Sequence, residues 1–280
     1  MNYKLRIKFM KIGVYIFLII LFLLAILPIW LLLVNATRST PEIQQGVSLL
    51  PSSNLWVNWN HLTGMGVNIW RGFLNSLIIS VPVTFLTVYF SMMTAYAIHV
   101  YDFKWKKMLY NTVVLLTIVP TQLVPIIGFY KYMASLKLLN SYIPLIVPAI
   151  ASPPMVFFAL QYLESTIVKD LIEASRIEGS GELGIFHKII LPIAKPGAFT
   201  MGILSFVASW NNFFTPFMLI SKIEKYTLPM IVKLLRGDMY RTEYGAIYLG
   251  LAITMIPIII VYAIFSKYIV SGIAMGAIKE

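Results

Sequence analysis

Long apolar runs alternate with short charged joints in this chain, and the length of those runs constrains the fold more than any other feature. The first, VYIFLIILFLLAILPIWLLLV, runs for roughly 20 residues without a charge, the length a helix needs to cross a hydrocarbon core of ~30 Å. Comparable runs place six spans at about 12–34, 73–99, 108–130, 142–163, 197–220 and 244–266. Only 12% of the residues are charged while 59% are hydrophobic, too little polar surface to cover such an interior in water. Within a bilayer the backbone must satisfy its own hydrogen bonds, which helices do. The expected fold is therefore all-α, a polytopic membrane protein with six transmembrane helices in one domain, 1–280.

The bases orient it. Lys4, Arg6, Lys8 and Lys11 precede the first span and Lys104, Lys106 and Lys107 follow the second, so both clusters belong on the cytoplasmic side. Six spans then put both termini and the segment 164–196 inside, and the segments 35–72 and 221–243 outside. Trp56, Trp59 and Trp70 of the first outer segment read as interfacial anchors. The first run is longer than a signal peptide's apolar region and no small-x-small cleavage site follows, so it reads as a retained span.

Several function classes fall away. The net charge of +11 sits at span ends rather than in a stripe with aromatics, which argues against nucleic acid. With no cysteine and only the scattered His61, His99 and His187, no thiolate or histidine metal site is expected. No converging nucleophiles or paired carboxylates suggest an enzyme. An ion-coupled secondary transporter would carry acids or histidines within its spans. These spans have almost none, so that reading stands only as an alternative.

The segment 164–196 is the anomaly: acids, bases and glycines between two apolar spans. LESTIVKDLIEASRIEG reads as a short helix with Ser165 or Thr166 as N-cap and Leu171, Ala174 and Ile177 as one apolar stripe. Glu173 and Arg176, three apart, are placed to pair weakly. Gly179 and Gly181 break the helix, ELGIFHKII reads as a second one, and Pro192 and Pro196 redirect the chain into the fifth span. A short amphipathic helix with small residues at its centre suits docking into a groove on another protein.

The same residues carry a family resemblance. Glu173-Ala174-Ser175, Glu178-Gly179-Ser180, Phe186, Leu191-Pro192 and Pro196 resemble, at the family spacing, the EAA motif of permease subunits in binding-protein-dependent ABC importers. Ser175 and Ser180 stand where alanine is usual, and Glu178 where aspartate is usual. IVPTQLVPIIGFYKYMASLKLLNSYIPLIVP, SWNNFFTPFMLI and YIVSGIAMGAIKE extend the resemblance to the carbohydrate-uptake branch that includes the maltose permease, and to its six-span subunit. Asn212 replaces an acid usual there, and Gly128 a proline or leucine.

The resemblance implies a type I ABC importer permease fold and import of a sugar or oligosaccharide, the alternative being a permease for another solute. It implies a bacterial or archaeal cytoplasmic membrane and three kinds of partner besides the lipid bilayer: a homologous second permease, two ATPase subunits and an extracytoplasmic sugar-binding protein. The chain itself is expected to be no enzyme and to hold no cofactor. ATP and Mg would sit in the partner ATPase, since no GxxxxGK[ST] loop occurs here. Glu173, Ala174, Ser175, Glu178, Gly179, Phe186 and Pro192 would form the ATPase-docking coupling loop. Trp210, Asn211 and Asn212 are assigned to the translocation pathway or gate, because amides at membrane depth need partners or water, an interhelical hydrogen bond being the alternative. Thr121 and Gln122 join that assignment, the alternative being a structural kink of the third span at Pro120 and Pro125. Gly237 and Asp238 would meet the binding protein, and Gly276 and Lys279 would carry a C-terminal tail to the ATPase.

Overall fold

A computed structural model describes residues 3–64, 66, 68–119, 126–234 and 243–277. The described elements are helical. In chain order they are α1 (Tyr3–Ala36), α2 (Thr40–Gln44), α3 (Leu55–Gly64), α4 (Ile69–Val100), α5 (Lys106–Ile118), α6 (Ile126–Ser135), α7 (Ile143–Ile146) and α8 (Pro153–Thr166). There follow α9 (Lys169–Ile177), α10 (Glu182–Ile185), α11 (Leu191–Ile193), α12 (Lys195–Trp210), α13 (Phe214–Leu219), α14 (Leu228–Leu234) and α15 (Tyr244–Ala277). They cluster into two compact units, 1–68 with 231–256 and 69–230 with 257–280.

In the first unit, the most apolar stretch of α1 has a mean hydropathy of 3.2 and none of it is buried. Such a surface is stable only against lipid or another apolar protein face. Polar chemistry takes over where the helix ends. Arg38 is buried and donates to Asn35 Oδ1 at 3.1 Å, to the Gly46 carbonyl at 3.0 Å and to the Glu42 carbonyl. The Glu42 carboxylate accepts from the Ser39 amide at 2.7 Å, the arrangement of a capping box, and from Ser52 Oγ at 3.0 Å and Asn54 Nδ2 at 3.1 Å. Asn58 is buried, its amide donating to the carbonyls of Ala36 (2.8 Å) and Arg38 (2.9 Å). Gly245, in the first turn of α15, lies where any Cβ would come within 2.4 Å of the Arg38 carbonyl oxygen and of the Asn58 side chain.

In the second unit, α4 packs against α8 and α12. Ala95 and Ala159 are fully buried among Met92, Leu160, Leu163 and Met201, and such small residues let membrane helices approach closely. Gly197 does the same for α12: a Cβ there would fall 2.7 Å from the Tyr162 ring. At the other end of α4 the Asn75 amide donates to the carbonyls of Glu224 (3.0 Å) and Tyr226 (2.9 Å), and Ser76 Oγ accepts from the Leu228 amide at 2.9 Å. Those bonds hold the segment after α13 against the start of α4.

Among the described residues, four helices are long and apolar enough to cross a membrane: Met10–Ala36, Ile69–Val100, Ile143–Thr166 and Tyr244–Ser266. They cover the first, second, fourth and sixth expected spans, the fourth built from α7, a 3-10 turn at Val147–Ile150 and α8. The third, 108–130, is divided between α5 and α6, and its junction at 120–125, with Pro120, Thr121, Gln122 and Pro125, lies outside the described residues. The fifth is divided too. Its helix α12 has 16 residues, about 24 Å at 1.5 Å per residue, short of the hydrocarbon thickness. The chain then leaves helical geometry at Asn212–Phe213 before α13. Paired with Glu182–Ile193 across an 80° bend, α12 makes a fifth candidate, either a broken span or a re-entrant pair.

Candidate coupling site

The anomalous segment forms α9, a glycine turn and a second helical stretch. Its N-terminus is not capped by Ser165 or Thr166. Those residues finish α8, Ser165 Oγ donating to the Tyr162 carbonyl at 2.8 Å, and Val168 holds the cap position with no side-chain bond. Steric continuity of α8 overrides the capping preference of its last hydroxyls.

On α9 the burial pattern divides cleanly. Ile172 and Ser175 are buried, while Val168 (65% exposed), Leu171 (41%) and Ile177 (87%) are open, with Glu173 and Ala174 also exposed. The three-step stripe of Leu171, Ala174 and Ile177 therefore does not face this chain's own body; it is presented outward. Ser175 occupies its buried position at no polar cost, because Oγ donates to the Leu171 carbonyl at 2.7 Å. A serine is therefore accommodated at this buried position. The helix closes in a Schellman geometry: the Gly179 amide donates to the Arg176 carbonyl and the Ser180 amide to the Ser175 carbonyl, both at 3.0 Å, with Glu178 at the cap. Gly179 has φ +83°, the left-handed region that glycine enters freely.

Arg176 does not pair with Glu173. Its Nε donates to Glu182 Oε1 at 2.7 Å, and its guanidinium lies 5.7 Å from the centre of the Tyr101 ring. Glu182 Oε2 also accepts from the Tyr96 hydroxyl at 3.0 Å and from that of Tyr101. Spacing within one helix gave no hint of this carboxylate, since its partners come from α4, from α9 and from the joint after α4.

Beyond α10 the ladder widens into a π turn over Phe186–Ile190, in which the Leu191 amide reaches back to the Phe186 carbonyl. Pro192 follows directly. It has no amide hydrogen and its ring crowds the carbonyl four residues back, which opens the ladder at this point. Phe186 is buried between Tyr96 at 5.6 Å and Tyr89 at 5.9 Å, anchoring the second stretch in the core beside α4. Pro192 itself is exposed.

The assigned pathway residues gather only in part. Trp210 is buried against Phe73 and Phe206, each 5.6 Å away. With Asn212, Ser76, Ser80 and Thr227 it lines a cavity of about 20 Å³, room for one water. Asn211 is exposed in the break after α12 and does not line that cavity. Thr121, Gln122, Gly237, Asp238 and Lys279 lie outside the described residues, and Gly276 is described only as backbone of α15.

Comparison with known proteins reaches the same region. A family model described as binding-protein-dependent transport system inner membrane component matches residues 88–275. The arabinooligosaccharides transport system permease protein AraQ of Bacillus subtilis is 32% identical, over 96% of both chains. The diacetylchitobiose uptake system permease protein NgcG of Streptomyces coelicolor is 27% identical, over 91% of this chain and 85% of that protein. Among solved structures, a chain of a bacterial ABC transporter involved in the import of the acidic polysaccharide alginate superposes with a TM-score of 0.80 at 21% identity, covering 96% of this chain and 99% of its own. The family match runs from within α4 through the segment 164–196 and into the end of α15, and with it this chain belongs to the inner membrane components of binding-protein-dependent transport systems.

Proposed function

We propose that this chain is the permease subunit of an ABC importer for a sugar or oligosaccharide, with α9 as its coupling helix. The observation that carries the reading is the outward stripe of Val168, Leu171, Ala174 and Ile177 beside Glu173. Apolar side chains on a charged helix would not be left uncovered in water without a partner to receive them. The partner we assign is a separate ATPase subunit, which would bind ATP and Mg. A second, homologous permease would supply the other half of the pathway, a second ATPase subunit would serve it, and an extracytoplasmic binding protein would deliver the solute. The carbohydrates named for the arabinooligosaccharide and diacetylchitobiose relatives support a sugar as cargo.

The mechanism we infer is alternating access. ATP-driven closure of the ATPases carries α9 with it, and α9 moves the second helical stretch, which continues through the 80° bend into α12. Trp210 and Asn212 at the far end of α12 would then line the cavity or gate that opens outward. Hydrolysis returns the assembly inward.

Co-purification from mild detergent with the neighbouring gene products tests this. The native chain should bring an ATPase and a second permease. Ile177→Asp, which puts a charge on the stripe, and Glu173→Lys should insert normally and lose the ATPase or its stimulation. Full ATPase recovery and full transport in both variants would refute the docking assignment.

A further inference from the structure

We propose that Glu182 is the positioning residue through which the coupling helix grips the membrane-spanning body, an inference that rests on the coupling role of α9 argued above. The attachment of α9 to its own chain is thin. Only Ile172 and Ser175 of its described side chains are buried, and both lie along one narrow seam. A helix held by such a seam rolls when load is applied to its outer face, and the roll dissipates displacement that should reach α4 and α12.

Glu182 lies where it blocks that roll. One carboxylate oxygen takes the Arg176 Nε hydrogen at 2.7 Å, which reaches α9 beyond the seam, near its C-terminal end. The other takes the hydroxyls of Tyr96, one turn before the end of α4, and of Tyr101, just past it. Arg176 also lies over the Tyr101 ring at 5.7 Å, so the four side chains brace one another in a closed set. The glycine turn at Gly179–Gly181 is the backbone link between α9 and α10, and Glu182 is the first residue past it. Without the brace, α9 and the body would be joined by the seam and that short turn alone.

The stability and coupling consequences separate. Arg176 and Glu182 are 38% and 43% exposed, and pairs of that kind contribute little to folding stability. Their short charge-assisted bonds do fix direction. Removing the brace should therefore spare assembly and impair transmission.

The test uses the whole purified transporter. The chain has no cysteine, so Asn211→Cys, in the exposed break after α12, gives a single reporter in this subunit, its partners being made cysteine-free. Its maleimide reaction rate is read with and without ATP and vanadate. With Glu182 intact the rate should change on trapping. With Glu182→Ala the same amount of ATPase should co-purify and the thermal midpoint should hold, while the trapping-dependent change falls about tenfold. Glu182→Gln, which still accepts from the tyrosines, should fall between the two. An undiminished change in Glu182→Ala overturns the proposal, and so does loss of the ATPase from that variant, which would make Glu182 a docking residue. If Glu182→Ala fails to assemble, Tyr96→Phe with Tyr101→Phe carries the test, and an unaltered change in that double variant is equally fatal. A reporter that ignores nucleotide with Glu182 intact refutes the coupling reading instead.

Discussion

Gly179 and Gly181 stand two residues apart in the same turn, and replacing each by alanine should have different consequences. A Cβ at either position meets no atom within 4 Å, so crowding drops out and only the backbone is tested. Gly179 sits at φ +83°, where an L-residue costs about 1–2 kcal/mol. Gly181 sits at φ −70° and ψ 157°, extended geometry open to any residue, and alanine there even restricts the unfolded chain. Gly179→Ala should therefore weaken the closure of α9, in which the Ser180 amide is bonded to the Ser175 carbonyl at 3.0 Å. A loss of 1–2 kcal/mol multiplies the open fraction about 5- to 30-fold, and amide exchange at Gly179 and Ser180 should accelerate by that factor. Gly181→Ala should leave it unchanged. Hydrogen exchange resolved by mass spectrometry over 169–182, in the assembled transporter, reads both. Equal exchange in the two variants would refute the argument that the left-handed cap holds the end of α9. Gly179→Val should add the stiffness of a β-branched side chain and reduce ATPase stimulation further.

Three further outcomes follow from the fold. Gly245→Ala should lower the thermal midpoint in detergent, at about 1–3 kcal/mol for overpacking, because Asn58 is pinned by two hydrogen bonds and cannot yield. Gly202→Ala, whose Cβ would meet its nearest neighbours at 3.8 and 3.9 Å, should leave the midpoint nearly unchanged. The Glu42 carboxyl is held below the usual carboxylate range, first by the Ser39 amide and then by the Ser52 hydroxyl. Its contribution to the first unit is present above the ordinary glutamate value, about 4.3, and is lost as pH falls through the lowered folded value. Near-ultraviolet circular dichroism should show an acid transition in the native chain that Glu42→Gln loses; identical titrations would refute the assignment.

The residues 164–196 show how far one-dimensional reading carries. The turn at Gly179, the break before a second helix and the redirection at Pro192 and Pro196 are local events, set by backbone sterics, and the sequence displays them directly. The stripe of Leu171, Ala174 and Ile177 was legible as a pattern, but a pattern does not say whether its own chain covers it. The pairing of Arg176 was misread for a related reason. Glu173 is near in sequence, whereas Glu182 comes near only because the glycine turn folds α10 back and the end of α4 brings two tyrosine hydroxyls to it. A capping hydroxyl at Ser165 or Thr166 was equally plausible locally and lost to the longer run of α8.

The amino-acid sequence by itself determined the solvent: with apolar runs this long and so few charges, helices in a bilayer are the stable way to satisfy the backbone. It also determined the family, because the spacing from Glu173 to Pro196 is a chain-order property. Which spans run unbroken was decided by the tertiary structure. Helix α12 ends at Trp210 after 16 residues, and α13 follows a non-helical break, with the segment beyond it held by Asn75 and Ser76 of α4. Tertiary structure also decided which residues act together. Glu182, Arg176, Tyr96 and Tyr101 meet only after α4, α9 and α10 have packed, since a hydrogen bond depends on distances of a few ångströms that separation along the chain does not encode.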